Sequence, residues 1–166
     1  MRKLWGAACV AAALATAPVQ AACWNTQDVA AARVRDLQSM LMVATLRCQA
    51  AGIAIAADYN GFVGANKQAL QMMNDLLKRH FSREKGVLQG QKEYDSFTTR
   101  LANTYGAGGT SSYDCETSSL IARDARMMNG NVDGLLLIAD RAGIRTEVPG
   151  GMCGPMVLAQ ASGPQE

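Results

Sequence analysis

Five carboxylates, Glu84, Glu93, Asp95, Asp114 and Glu116, fall toward loops and helix starts in this 166-residue chain. Two of them facing each other across a cleft, roughly 5–9.5 Å apart with one held protonated by apolar surroundings, would suit glycan hydrolysis. The spacing singles out no such pair, and Asp114 and Glu116 sit where a helix start favours acids in any case. No catalytic residue is assigned. His80 is the sole histidine and lies beside Lys78, Arg79 and Arg83. A metal site or a nucleophilic triad would need partners from elsewhere in the fold, so the expectation is a helix-end histidine that complements the negative end of the dipole. Gly106 to Thr110, GAGGT, lacks the strand before it and the Lys-Ser/Thr after it that a phosphate loop requires, and reads as a helix connector.

The methionine pairs Met40 with Met42, Met72 with Met73 and Met127 with Met128 carry thioethers that suit Cu(I). Adjacent or i,i+2 residues do not share a helix face, so gap-filling in a core is the better reading. No metal or cofactor is expected. What remains is a candidate small-ligand pocket drawn from Tyr59, Asn66, Tyr94, Phe97 and Tyr105. Each has a plainer role open to it. Asn66 on an apolar stripe can fix helix register through a buried hydrogen bond, and the aromatics can be core.

The cysteines are more informative. Arg2 and Lys3 precede a short alanine-rich apolar run that Pro18 and Gln20 close, the pattern of a cleaved signal peptide over residues 1–21. The run is shorter than the ~20 residues a spanning helix needs. Removal of that segment takes Cys9 with it and leaves Cys23, Cys48, Cys115 and Cys153, an even set for an oxidising compartment, periplasmic or extracellular. A rival exists at the same place: Gln20-Ala21-Ala22-Cys23 approximates a lipobox, and acylation of Cys23 would make a membrane-tethered lipoprotein.

Composition bounds the rest. At 49% hydrophobic and 18% charged the chain is too apolar for disorder, and the stretch beyond residue 21 is long enough for one domain with a core. Without Arg2 and Lys3 the 16 basic residues become 14, equal to the 14 acidic ones, so neither nucleic acid nor an anionic membrane is indicated as a partner.

The elements that must position these residues are helices. Ala30, Val34, Leu37, Leu41, Ala44 and Cys48 recur at steps of four and three and mark a first helix over Thr26 to Ala50. Tyr59, Val63, Asn66, Leu70, Met73, Leu77 and Phe81 mark a second from about Ile55 to Ser82, with Gly61 and Gly64 inside it as points of close approach or bending. Tyr94 to Tyr105 form a third, a fourth begins after Ser111 or Ser112, and a fifth runs from Asn131 to about Arg141. The expected fold is all-α: an up-down, disulfide-stapled bundle of four to five helices over residues 22–153, with a loose tail over 154–166. Short connections make neighbours antiparallel. The end of the first helix then meets the start of the fourth, which favours Cys48–Cys115 with Cys23–Cys153 among the three possible pairings.

The segments CWNTQDVAAARVRDLQSMLMVATLRC, YNGFV, YDSFTTRLANTYG and PGGMC together resemble an uncharacterised family of small exported alphaproteobacterial proteins. The resemblance implies an exported helical domain with four recurring cysteines, matched by Cys23, Cys48, Cys115 and Cys153, and carries no activity with it. The functional expectation is a binding or structural module of the cell envelope, acting on an envelope partner or a small ligand. The alternatives are a small glycan or peptidoglycan hydrolase and the lipoprotein.

Overall fold

The computed structural model describes residues 23–153, apart from the side chain of Glu84. The expected signal peptide and the expected tail lie outside these residues. Five α-helices succeed one another: α1 Thr26–Ala50, α2 Ala56–Ala65, α3 Lys67–Gly106, α4 Ser112–Met127 and α5 Val132–Arg141. The all-α bundle is as expected, and α1 has the expected bounds.

Helix α1 begins on Asn25, whose side chain accepts from the Asp28 amide, and it runs through the middle of the bundle. Val34, Leu37, Leu41 and Cys48 of the expected stripe are buried, but so are Asp28, Ala31, Ala32, Asp36, Ser39 and Thr45. The buried surface is thus much wider than one stripe. A helix packed on several sides cannot keep a single apolar face, and its polar positions must find partners indoors.

The second expected helix breaks at Asn66, where φ of −110° and ψ of 14° separate α2 from α3. Asn66 is buried, and its side chain donates to the carbonyls of Phe62 and Ala125 and accepts from the Gly130 amide. It therefore locks the α2–α3 junction onto α4, which is the register role expected of a buried amide. Gly61, one turn earlier, lies where a Cβ would come within 3.1 Å of the Arg126 side chain, so α2 and α4 approach closely there; nothing crowds Gly64.

Helix α3 is a hairpin. Gly86 has φ of 74° and ψ of 170°, a region open essentially to glycine alone, and the chain reverses there without any loop. The two arms, residues 67–85 and 87–106, touch so closely that a Cβ on Gly90 would lie 2.7 Å from Cα of Ser82. Further along, Tyr94 donates to Asn74, and the Phe81 ring meets those of Tyr94 and Phe97 at 6.5 and 5.6 Å. The first arm carries the second expected helix on beyond Asn66, and the second arm contains the third expected helix but begins well before Tyr94; one residue joins them.

Helix α4 starts in a full capping box between Ser111 and Asp114, and α5 on Asn131, whose side chain accepts from Gly134. After α5 the chain returns as an extended strap over residues 144–153. Its end pairs with the start of the domain: the Trp24 amide donates to Gly151, the Cys153 amide donates to Trp24, and the Trp24 indole donates to the Pro149 carbonyl at 2.7 Å. Disulfides join Cys23 to Cys153 and Cys48 to Cys115, the expected pairing. The Cys23 sulfur is thereby engaged in a bond that acylation would exclude. Among the described residues, no helix is long and apolar enough to cross a membrane.

The two crosslinks span 130 and 67 residues, so both constrain the unfolded chain strongly. Replacing Cys48 and Cys115 together by serine should lower unfolding stability by about 2–5 kcal/mol. Urea titration reads this as a lower midpoint, and an unchanged midpoint would show the crosslink to be energetically idle.

Candidate functional site

Two carboxylates on α1, Asp28 and Asp36, are buried at 1% and 4% exposure. They differ in how they are satisfied. Asp28 accepts from the Arg83 guanidinium at 2.6 Å and lies 3.0 Å from His80 Nδ1, so one oxygen, Oδ2, joins α1 to the first arm of α3. The Trp24 ring lies against His80 with centroids 3.8 Å apart and forms an aromatic cluster with Phe81 and Phe97. His80 is thus not a solvent-facing helix-end group. It is 3% exposed and held to Asp28, because the arm of α3 that carries it packs along α1.

Asp36 accepts hydrogen bonds from the hydroxyl of Tyr105 on Oδ1 and from that of Thr146 on Oδ2, both at 2.7 Å. Those contacts tie α1 to the second arm of α3 and to the strap. Among the described residues Asp36 has no ion pair. Burial, reinforced by the hydrogen bond to Asp36 and by its negative charge, pushes the Tyr105 phenol well above its ordinary range, so Tyr105 is a donor at any physiological pH.

Asp36 lies at one side of a cleft of about 470 Å³ formed by α1, the second arm of α3 and the strap. Phe97, Leu101 and Pro149 give it apolar surface, and Arg100 and Arg145 give it positive charge. Of the residues expected to make a pocket, Phe97 and Tyr105 meet here. Tyr94 instead borders a separate hollow between α1 and the hairpin, shared with Arg35 and Lys67. Tyr59 is half-buried on α2 against Phe62, where burial raises its phenol pKa, and Asn66 is spent on backbone groups.

A second cleft of about 350 Å³ lies further along α1, toward its C-terminal end, and shares Thr104 and Tyr105 with the first. There Arg47 donates to Thr110 and to the carbonyls of Tyr105, Gly108 and Gly109, which clasps the GAGGT connector to the helix. The guanidinium binds that loop's oxygens, so the connector serves structure.

Glu93, Asp95, Asp114 and Glu116 do not gather into a site. Asp114 is committed to its capping box with Ser111, whose backbone amide and hydroxyl hold its pKa below the usual range. Glu93 and Asp95 accept from Gln89 and Gln91 within their own helix, and Glu116 is exposed. The acids in partnered, buried positions are Asp28 and Asp36; Asp58 on α2 is partnered but partly exposed. Sequence reasoning missed the first two, because a first-turn acid and an acid on a helix face each have a local explanation.

No protein-family model matches the chain, and no curated protein and no solved structure matches it either.

Replacing Asp28 by alanine should cost about 3–5 kcal/mol, because His80 and Arg83 would be left without their carboxylate. Thermal or urea unfolding measures this, and a loss under about 1 kcal/mol would mean that the cluster contributes no more than a surface pair. Asp58 gives a pH-dependent test. Hydrogen bonds from Arg123 and Ser119 hold its folded pKa below the ordinary carboxylate value, so its contribution is present above that value and is lost as pH falls through the lowered one. The stability gap between the native chain and Asp58→Asn should be constant from about pH 5 to 7 and close below about pH 4. A gap independent of pH would refute the assignment.

Proposed function

We propose that the chain is an exported binding module of the cell envelope, and that the cleft bounded by Asp36, Phe97, Tyr105 and the strap takes a small ligand. The observation that carries the reading is Asp36: a buried carboxylate, fixed by two hydroxyls and without an ion pair among the described residues, beside a cleft of ligand size. Binding is favoured over hydrolysis because the cleft sets one buried carboxylate among arginines and a phenol held in its protonated form, its other acid, Glu147, is exposed rather than held in an apolar setting, and Glu93, Asp95 and Asp114 are used in helix pairs and a cap. Export is supported by the basic and apolar N-terminal sequence and by the two disulfides, which suit an oxidising compartment.

The pieces of the cleft are held before any ligand arrives. Cys23–Cys153, the Trp24 indole and Thr146 each fasten the strap, and Tyr105 fastens the second arm of α3. Such preorganisation lowers the ordering cost of binding.

An NMR fragment screen on the disulfide-bonded protein recovered from the periplasm of an expressing bacterium tests this. Hits should cluster on Thr104, Tyr105, Thr146 and Val148, and reduction of the disulfides should weaken them. Hits confined to other surfaces, or none at all, would remove the binding reading.

A further inference from the structure

The two buried carboxylates of α1 form an internal control for each other. They share a helix, a burial and a hydrogen-bonded setting, yet Asp28 has a guanidinium and an imidazole on one oxygen while Asp36 has two neutral hydroxyls. A carboxylate offers about four acceptor positions, and two hydroxyls leave half of them open. A buried charge is stabilised chiefly by an opposite charge with good hydrogen-bond geometry. Of the two, Asp36 is the one that borders the cleft.

The opposite charge is present in the cleft but placed elsewhere. Arg100 donates to Ser96 and stacks over Phe97 at 6.0 Å, with no ion pair among the described residues. Arg145 reaches Asp140 at only 3.4 Å, while Asp140 is bound at 2.5 Å by Arg33. Arg145 is largely exposed, so its guanidinium retains free donors. A ligand that was only a cation would meet two arginines, and one that was only an anion would leave Asp36 uncompensated. Glu147, also at the cleft, adds to the second penalty.

We infer that the cleft takes a small zwitterion: a molecule whose amino group donates to Asp36, whose carboxylate is bound by Arg100 and Arg145, and whose apolar part lies against Val148 and Pro149. An amino acid or the free end of a short peptide has this chemistry. The partly exposed Tyr105 ring offers an ammonium additional favourable surface, and the bidentate geometry of arginine suits a carboxylate. This inference rests on the proposed binding role and narrows it to one class of ligand.

Three probes that share a phenyl ring separate the charges: L-phenylalanine carries both, phenethylamine only the amine and 3-phenylpropionate only the carboxylate. Titrated into the full disulfide-bonded protein and followed by NMR, L-phenylalanine should bind at least about tenfold more tightly than either single-charge probe, with shifts at Tyr105 and Thr146. In Arg100→Gln/Arg145→Gln its affinity should fall to that of phenethylamine, with phenethylamine itself not weakened. In Asp36→Asn it should fall to that of 3-phenylpropionate. Since Asp36 also holds Tyr105 and Thr146, Thr146→Val controls for the lost hydroxyl contact and should keep the preference for the zwitterion. Cleft shifts with 3-phenylpropionate or phenethylamine binding as well as L-phenylalanine would overturn the inference and leave the binding reading intact. Silence from all three probes would also overturn it, and the binding reading would fall only if the fragment screen also gave no hits in the cleft.

Discussion

A central helix that buries two carboxylates imposes its needs on everything packed around it. Asp28 and Asp36 of α1 are almost wholly removed from water, and an unsatisfied charge there would cost several kcal/mol. The first draws in His80 and Arg83 from the first arm of α3; the second draws in Tyr105 from the other arm and Thr146 from the strap. Each segment that borders the cleft is therefore fastened to α1 through an acid. Apolar burial of Val34, Leu37 and Leu41 drives the collapse, but it does not by itself choose which residue of α3 faces which residue of α1. The directional contacts do.

The disulfides act on the same geometry from outside the core. Cys48–Cys115 closes the end of α1 onto the start of α4, beside the loop that Arg47 clasps. Cys23–Cys153 closes the other end and fixes the strap, whose two backbone bonds to Trp24 and one from the indole leave it little freedom. A strap without helical hydrogen bonds of its own would otherwise be the part of the fold most prone to local opening. Trp24 couples this closure to the core, since the same ring that donates to Pro149 packs on His80 and Phe97. Redox state, strap position and the shape of the cleft are therefore linked through one residue.

Much of this was legible in the sequence where the signal is periodic or countable. The bounds of α1, the all-helical class and the cysteine pairing come from apolar spacing, capping residues and the antiparallel rule. The Asn66 break was hidden because the four-three spacing of Val63, Asn66 and Leu70 runs through it without interruption, and only the tertiary contacts of the amide with Ala125 and Gly130 reveal its use. The buried acids were hidden for the opposite reason. Asp28 fits the first-turn preference for acids and Asp36 fits a solvated helix face, so local chemistry explains both without any partner. The same gap hides the position of His80. A reversal made by a single glycine leaves no loop signature, and so the spacing puts the histidine at a free helix end when it lies against α1.

That reversal also decides where the cleft can be. A loop of several residues between the arms would allow them to slide by a turn, but Gly86 leaves no slack, and Gly90 pressed against Ser82 fixes the register from the first turn onward. Tyr94 then falls opposite Asn74, and Phe97 falls against Phe81 and Trp24. About two turns beyond Phe97, at roughly 3.6 residues per turn, comes Tyr105, on the neighbouring face and within reach of Asp36. Phe97 and Tyr105 line one cleft because both project from adjoining faces of a rod whose register is set at its tip. Any residue larger than glycine at position 90 would press its Cβ into the backbone of Ser82 and force the arms apart near the tip, at the point where their register is set.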